Sequence, residues 1–130
     1  MNKPVQSPQS ELPQGQLLVY AAEDGKIKID VRLENETVWL TQQHMAELFQ
    51  TTQQNISLHL QNTYDEGELT RAATHKEYLS VQKEGRRQVK RHLDFYNIDA
   101  IISVGYRVKS AVATRFRIWA TQQLREFIVK

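Results

Sequence analysis

The chain has 130 residues, of which 40% are hydrophobic and 25% charged, with no cysteine and a formal net charge of +2. That length suits one compact domain with a buried core, and the absence of cysteine excludes a disulfide framework or a thiolate metal site. No apolar run approaches the roughly 18–20 residues that cross a bilayer, and the N-terminus lacks the apolar core of a signal peptide, so a soluble, cytoplasmic protein is expected.

All three prolines, Pro4, Pro8 and Pro13, fall near the start among Gln and Ser. Residues 1–16 therefore read as a disordered tail, because they bury too little surface to offset the entropy of ordering. Residues 17–130 read as one domain. Leu17-Leu18-Val19-Tyr20 is a short apolar strand, and Asp24-Gly25 is a hairpin turn signal. Ile27, Ile29, Val31 and Leu33 then alternate with Lys28, Asp30 and Arg32, the period of a half-buried strand. Asn35-Glu36 turns the chain again into a third strand, Val38-Trp39-Leu40. These three segments predict a small antiparallel meander.

The next stretch, Leu40 to Asn62, reads as two short helices joined by a tight turn. Thr41 caps the first through its hydroxyl, and Met45, Ala46, Leu48 and Phe49 give it an apolar face. Thr51 or Thr52 caps the second, where Ile56 and Leu60, four apart, face inward. Gln53, Gln54, Ser57, Gln61 and Asn62 are left outward as a face of amides and hydroxyls without charge. This is the grammar of a helix-turn-helix, whose second helix is sized for a DNA major groove.

Gly67 is the expected stop of the second helix, and residues 69–75 read as a loop. Lys76 to Val81 and Gln88 to Phe95 are strand-like, joined by Gln82-Lys83-Glu84-Gly85-Arg86-Arg87, a hairpin with a basic tip. Asn97 or Asp99 begins a short helix expected to stop at Gly105. A long final helix is predicted over about 111–129, with Val112, Phe116, Trp119 or Ala120, Leu124, Phe127 and Ile128 at helical spacing. The fold class predicted is α+β: a winged-helix-like helix-turn-helix domain with an N-terminal β-meander, a basic β-hairpin wing and a long C-terminal helix.

Charge is unevenly spread. Residues 1–82 hold six Lys/Arg against eleven Asp/Glu, whereas residues 83–117 hold nine against three. A basic block directly after a helix-turn-helix is where phosphate contacts are needed; the competing reading is a solvated charged face. On the DNA reading, Gln53 and Gln54 meet adenine edges, since a primary amide offers a donor and an acceptor at matching spacing. Ser57 and Gln61 stay within reach of the groove, and Thr41, Gln42 and Thr52 are placed for backbone phosphates. Asn55 points either outward or toward the first helix. Lys83, Arg86 and Arg87 at the wing tip would reach phosphates or an adjacent minor groove, supported from the strand by Lys90 and Arg91. Arg107, Lys109, Arg115 and Arg117 would form a second positive surface, unless Arg117 is a structural partner of Asp94 or Asp99.

The blocks Val38-Trp39-Leu40-Thr41-Gln42-Gln43, Met45-Ala46-Glu47-Leu48-Phe49, Gln54-Asn55-Ile56-Ser57-Leu58-His59, Asp99-Ala100-Ile101-Ile102-Ser103-Val104-Gly105-Tyr106-Arg107-Val108 and Phe116-Arg117-Ile118-Trp119-Ala120-Thr121 stand in this order along the chain. Together they resemble the RhuM virulence-protein family. The similarity is to the N-terminal region of that family and extends over about residues 17–130. It implies a bacterial DNA-binding protein of mobile-element or pathogenicity-island character, in a family whose members continue past this length. One departure is Ala113, where the resemblance leads one to expect a nearby glycine.

No enzyme is expected. The histidines at 44, 59, 75 and 92 lack metal-ligand spacing, and no Gly-rich phosphate loop or nucleophile–base grouping is visible. No cofactor, membrane or small-molecule substrate is implied. The leading function is a transcriptional or mobile-element regulator that binds double-stranded DNA, with the last helix as candidate interface of a homodimer. The alternatives are a protein-interaction domain acting in virulence or host defence without direct DNA binding, and a targeting domain for catalytic sequence beyond Lys130.

Overall fold

A computed structural model describes residues 15–22 and 25–129. In chain order these form β1 (Gln16–Ala22), β2 (Ile27–Glu34), β3 (Thr37–Thr41), α1 (Gln42–Phe49), α2 (Gln53–Asp65), α3 (Arg71–Thr74), β4 (His75–Glu84), β5 (Arg87–Asn97), α4 (Ile98–Val108) and α5 (Ser110–Val129). The architecture is α+β: an antiparallel five-stranded sheet in the order β1-β2-β3-β5-β4, with helices packed on one face. The tail assigned to residues 1–16 and the Asp24 half of the first turn signal lie outside the described residues, except that Gln16 already opens β1.

The meander forms because period-2 alternation gives β1 to β3 one apolar face. Ile29, Val31, Leu33, Val38 and Leu40 are buried toward the helices, while Lys28 and Asp30 are exposed. Between β2 and β3, Asn35 and Glu36 both adopt positive φ, 55° and 61°. That pair of left-handed residues gives the two-residue turn whose twist matches a hairpin. β3 then pairs with β5, matching Leu40 to Tyr96, so the strand before the helix pair and the hairpin after it share one sheet.

Tyr20 meets Phe116 edge-on at 5.1 Å and Trp119 at 5.0 Å, which joins β1 to α5. Trp39 is buried but on the opposite face of the sheet from this core, because its neighbours Val38 and Leu40 take the inward positions. There Lys76 lies 5.1 Å from its ring centroid, and its indole N–H donates to the Glu34 carbonyl.

Two expectations need correction. Residues 69–75 are not all loop: Arg71–Thr74 form a helical turn, because the buried Thr74 hydroxyl donates to the Thr70 carbonyl and meets the Tyr64 hydroxyl at 2.8 Å. The helix capped by Asn97 does not stop at Gly105 but continues to Val108. The missing side chain at Gly105 serves packing instead: a Cβ there would lie 2.5 Å from Phe49 Cζ and 2.7 Å from Ala113 Cβ. α1, α4 and α5 converge at that point. Ala113, where a glycine was expected, is itself fully buried.

α2 joins this layer through Ile56, Leu60 and Thr63, all buried, and the Thr63 and Ser103 hydroxyls are 3.4 Å apart. Ser103 donates to Glu68, which Arg107 also contacts; these hydrogen bonds hold the Glu68 carboxyl below its ordinary value.

Candidate nucleic-acid interface

Local capping sets the angle between α1 and α2. The Thr41 hydroxyl accepts from the His44 N–H (3.2 Å) and that of Thr52 from the Asn55 N–H (3.0 Å). Gln50 closes α1 in the left-handed region at φ 54°, and the Thr51 N–H returns to the Ala46 carbonyl at 2.9 Å. The Asn55 amide donates to Thr51 (2.9 Å), which turns it back over the bend and away from the outer face.

Gln53, Gln54, Ser57 and Gln61 are exposed on α2, as is Leu58 between them, 57% accessible. The amides differ in availability. Gln42 donates to the Tyr96 hydroxyl at 3.1 Å and Gln61 to Asp65 at 2.8 Å, whereas Gln53 and Gln54 stand at the exposed start of the helix. The structure therefore brings Thr41, Gln42 and Gln53 to one groove, with Thr52 capping the helix just before Gln53, and leaves Gln61 two turns away beside a carboxylate.

The β4–β5 ribbon pairs without a break from His75↔Tyr96 to Glu84↔Arg87. A groove of about 280 Å³ separates it from the helices, with Gln42, Gln43 and Gln53 on one bank and His92, Leu93 and Asp94 on the other. At about 3.3 Å per residue the ribbon runs roughly 17 Å beyond His92 to its tip. Lys83, Arg86, Arg87 and Lys90 are all exposed on this outer part. Register parity puts Lys83 and Lys90 on the helix side of the ribbon, and Arg87 on the other side with Arg91 and Glu84. Arg91 is neutralised by Glu84 at 2.8 Å.

The inner part of the ribbon is different. Glu77 and Asp94 stand opposite each other, and each meets a histidine, His92 at 3.1 Å and His75 at 2.7 Å respectively. The proposed second positive surface is also smaller than its sequence implies. Arg107 is paired with Glu66 (2.6 Å) and Glu68 (3.0 Å). Hydrogen bonds from Thr114 and then from Arg117 hold the Tyr106 phenol below the usual tyrosine value, so Arg117 is engaged with Tyr106 and not with Asp94 or Asp99.

Sequence reasoning missed Gln43, Leu58 and the His92–Asp94 bank. Leu58 was readable, since it lies four residues after Gln54 on the outward stripe. The bank was not, because it depends on the long-range register of β3 on β5. Among the described residues, no three His, Asp or Glu side chains are grouped to hold a metal ion, and no helix is long and apolar enough to cross a membrane.

Residues 73–130 match the profile of the Virulence protein RhuM family. This segment, just under half of the chain, is similar to that family. The RhuM match takes in the ribbon, α4 and α5 and begins after the α1–α2 pair, so the similarity lies in the C-terminal part of the chain and not in the helix pair, where it was expected. Of the blocks that resemble the family, Asp99–Val108 and Phe116–Thr121 fall inside the matched region, and the three between Val38 and His59 precede it. No curated protein and no solved structure matches the chain.

Proposed function

We propose that the chain is a DNA-binding regulator of the RhuM type, built as a winged helix-turn-helix. In this reading α2 enters the major groove and the β4–β5 ribbon is the wing. The observation that carries the proposal is the placement of the uncharged outer face of α2 beside a ribbon whose exposed end holds Lys83, Arg86, Arg87 and Lys90. The topology supports it: a strand leads into two helices, a hairpin follows, and that first strand pairs with the hairpin's second strand. This connection fixes the wing against the helix pair.

The roles follow from chemistry. Gln53 and Gln54 present amides to base edges, and Leu58 would meet a thymine methyl from the same stripe. Thr41 and Thr52 each donate a hydroxyl proton to a phosphate. Arg86 and Arg87 contact the backbone from the tip. Glu77 and Asp94 repel phosphate, which confines those contacts to the outer half of the ribbon.

Fluorescence anisotropy on duplex DNA across a salt series tests this. Each phosphate neutralised contributes about −0.9 to the log–log salt slope. Replacing Arg86 and Arg87 together by Ala should weaken binding to all sequences and reduce the slope by about 2. An unchanged slope removes the wing assignment. No binding to any duplex at low salt rejects DNA as the partner and leaves the protein-interaction reading, for which exposed Leu58 is the anchor.

A further inference from the structure

The two outer edges of the sheet are built differently. β4 forms one edge, and its ten residues include Lys76, Glu77, Lys83 and Glu84. Charges of this kind keep an edge from pairing with another chain. β1 forms the other edge, and Gln16–Ala22 contains neither charge nor proline. Its register with β2 runs unbroken from Gln16↔Leu33 to Ala22↔Ile27, so no bulge twists the edge away. Leu17 and Val19 are 58% and 54% exposed on the face away from the helices. An edge that is long, regular, apolar and uncharged is a template for a further strand.

We propose that β1 pairs with β1 of a second copy, forming a homodimer with one continuous ten-stranded sheet. A second copy suits this edge because pairing about Val19 opposes only uncharged residues, Gln16 with Ala22, Leu17 with Ala21 and Leu18 with Tyr20. A two-fold axis perpendicular to the sheet beside Val19 pairs all seven residues and keeps every side chain on its present face. Val19 then lies next to Val19 of the other copy, and Leu17 next to Ala21. The outward face of α5, the other candidate interface, carries Arg115, Arg117, Arg125 and Glu126 around exposed Ile118, a less apolar surface. This inference does not depend on DNA binding.

Light scattering on the full chain, from low to high micromolar concentration, should give twice the chain mass. Val19→Lys should halve it, and the exposure of Val19 lets the fold survive. A second measurement exploits the lack of native cysteine. Opposed residues in an antiparallel pair have Cα atoms about 4.5–5.5 Å apart, within disulfide range, so Val19→Cys should form a covalent dimer on mild oxidation and Ile118→Cys should not. A monomer at every concentration, a dimer unaffected by Val19→Lys, or crosslinking through Ile118→Cys in place of Val19→Cys would each overturn the proposal.

Discussion

α1 and α2 are consecutive helices, each capped by a threonine hydroxyl, and the fold puts them to opposite uses. α1 buries Met45, Ala46, Leu48 and Phe49 out of eight residues, and Phe49 reaches the point where α4 and α5 meet. α2 buries Ile56, Leu60 and Thr63 out of thirteen and leaves one long side to water. The first helix is an anchor and the second is held up by it. A helix that must meet another molecule with its side chains free needs such a rigid neighbour, because its own contacts are too few to fix its angle.

The strongest way to break this contrast is to remove the anchor. Phe49→Ala deletes a fully buried ring and should destabilise the protein by about 3–5 kcal/mol, read from urea unfolding. A loss comparable to that of an exposed residue would show that α1 is not the anchor. Gly105→Ala attacks the same junction from the other side by adding a methyl where Phe49 and Ala113 already fill the space. The expected loss is about 1–3 kcal/mol, and a Gly105→Ala, Phe49→Leu double variant should recover part of it.

Thr52→Ala sharpens the contrast at α2. It removes the hydroxyl that accepts from the Asn55 N–H, so a loss of about 1 kcal/mol is expected. Hydrogen exchange should localise the change to the first turn of α2 and leave α1 protected. A change shared equally by both helices would mean that they unfold as one unit.

The same division explains what was legible in the sequence. The meander, the two threonine caps, the Gly67 stop and the long last helix are local signals: alternation, capping and 3.6-residue spacing decide them within a few residues. Gly105 was misread as a helix stop because its isolated position in the sequence is equally compatible with a close contact, and Phe49, 56 positions earlier, is not visible from it. The ribbon's extent to His75 and Asn97 was underestimated because its alternation is imperfect and pairing across the strands completes it. In the candidate site, the exposure of Gln53, Gln54 and Ser57 followed from the helical stripe. The neutralisation of Arg91 by Glu84 and Arg107 by Glu66 and Glu68 did not, since charge counts carry no information about ion pairs across elements.

The smallest expected effect on stability is the one that separates the two helices most cleanly. Gln54 is exposed near the start of α2, so Gln54→Ala should change unfolding free energy by less than about 0.5 kcal/mol. If α2 is the reading helix, the same substitution removes an amide from a base edge. Losing a bidentate pair is worth about 1–3 kcal/mol of discrimination at one base pair, so sequences selected from a random duplex library should lose preference at one position while the salt slope stays unchanged. Met45→Ala, inside α1, should do the reverse, lowering stability while leaving the selected sequence alone. Equal sequence preferences for the Gln54→Ala variant and the parent protein, with both binding DNA, would place base reading elsewhere on the surface. The exposed stripe of α2 would then be solvated polar surface, and the distinction between anchor and display would describe packing only.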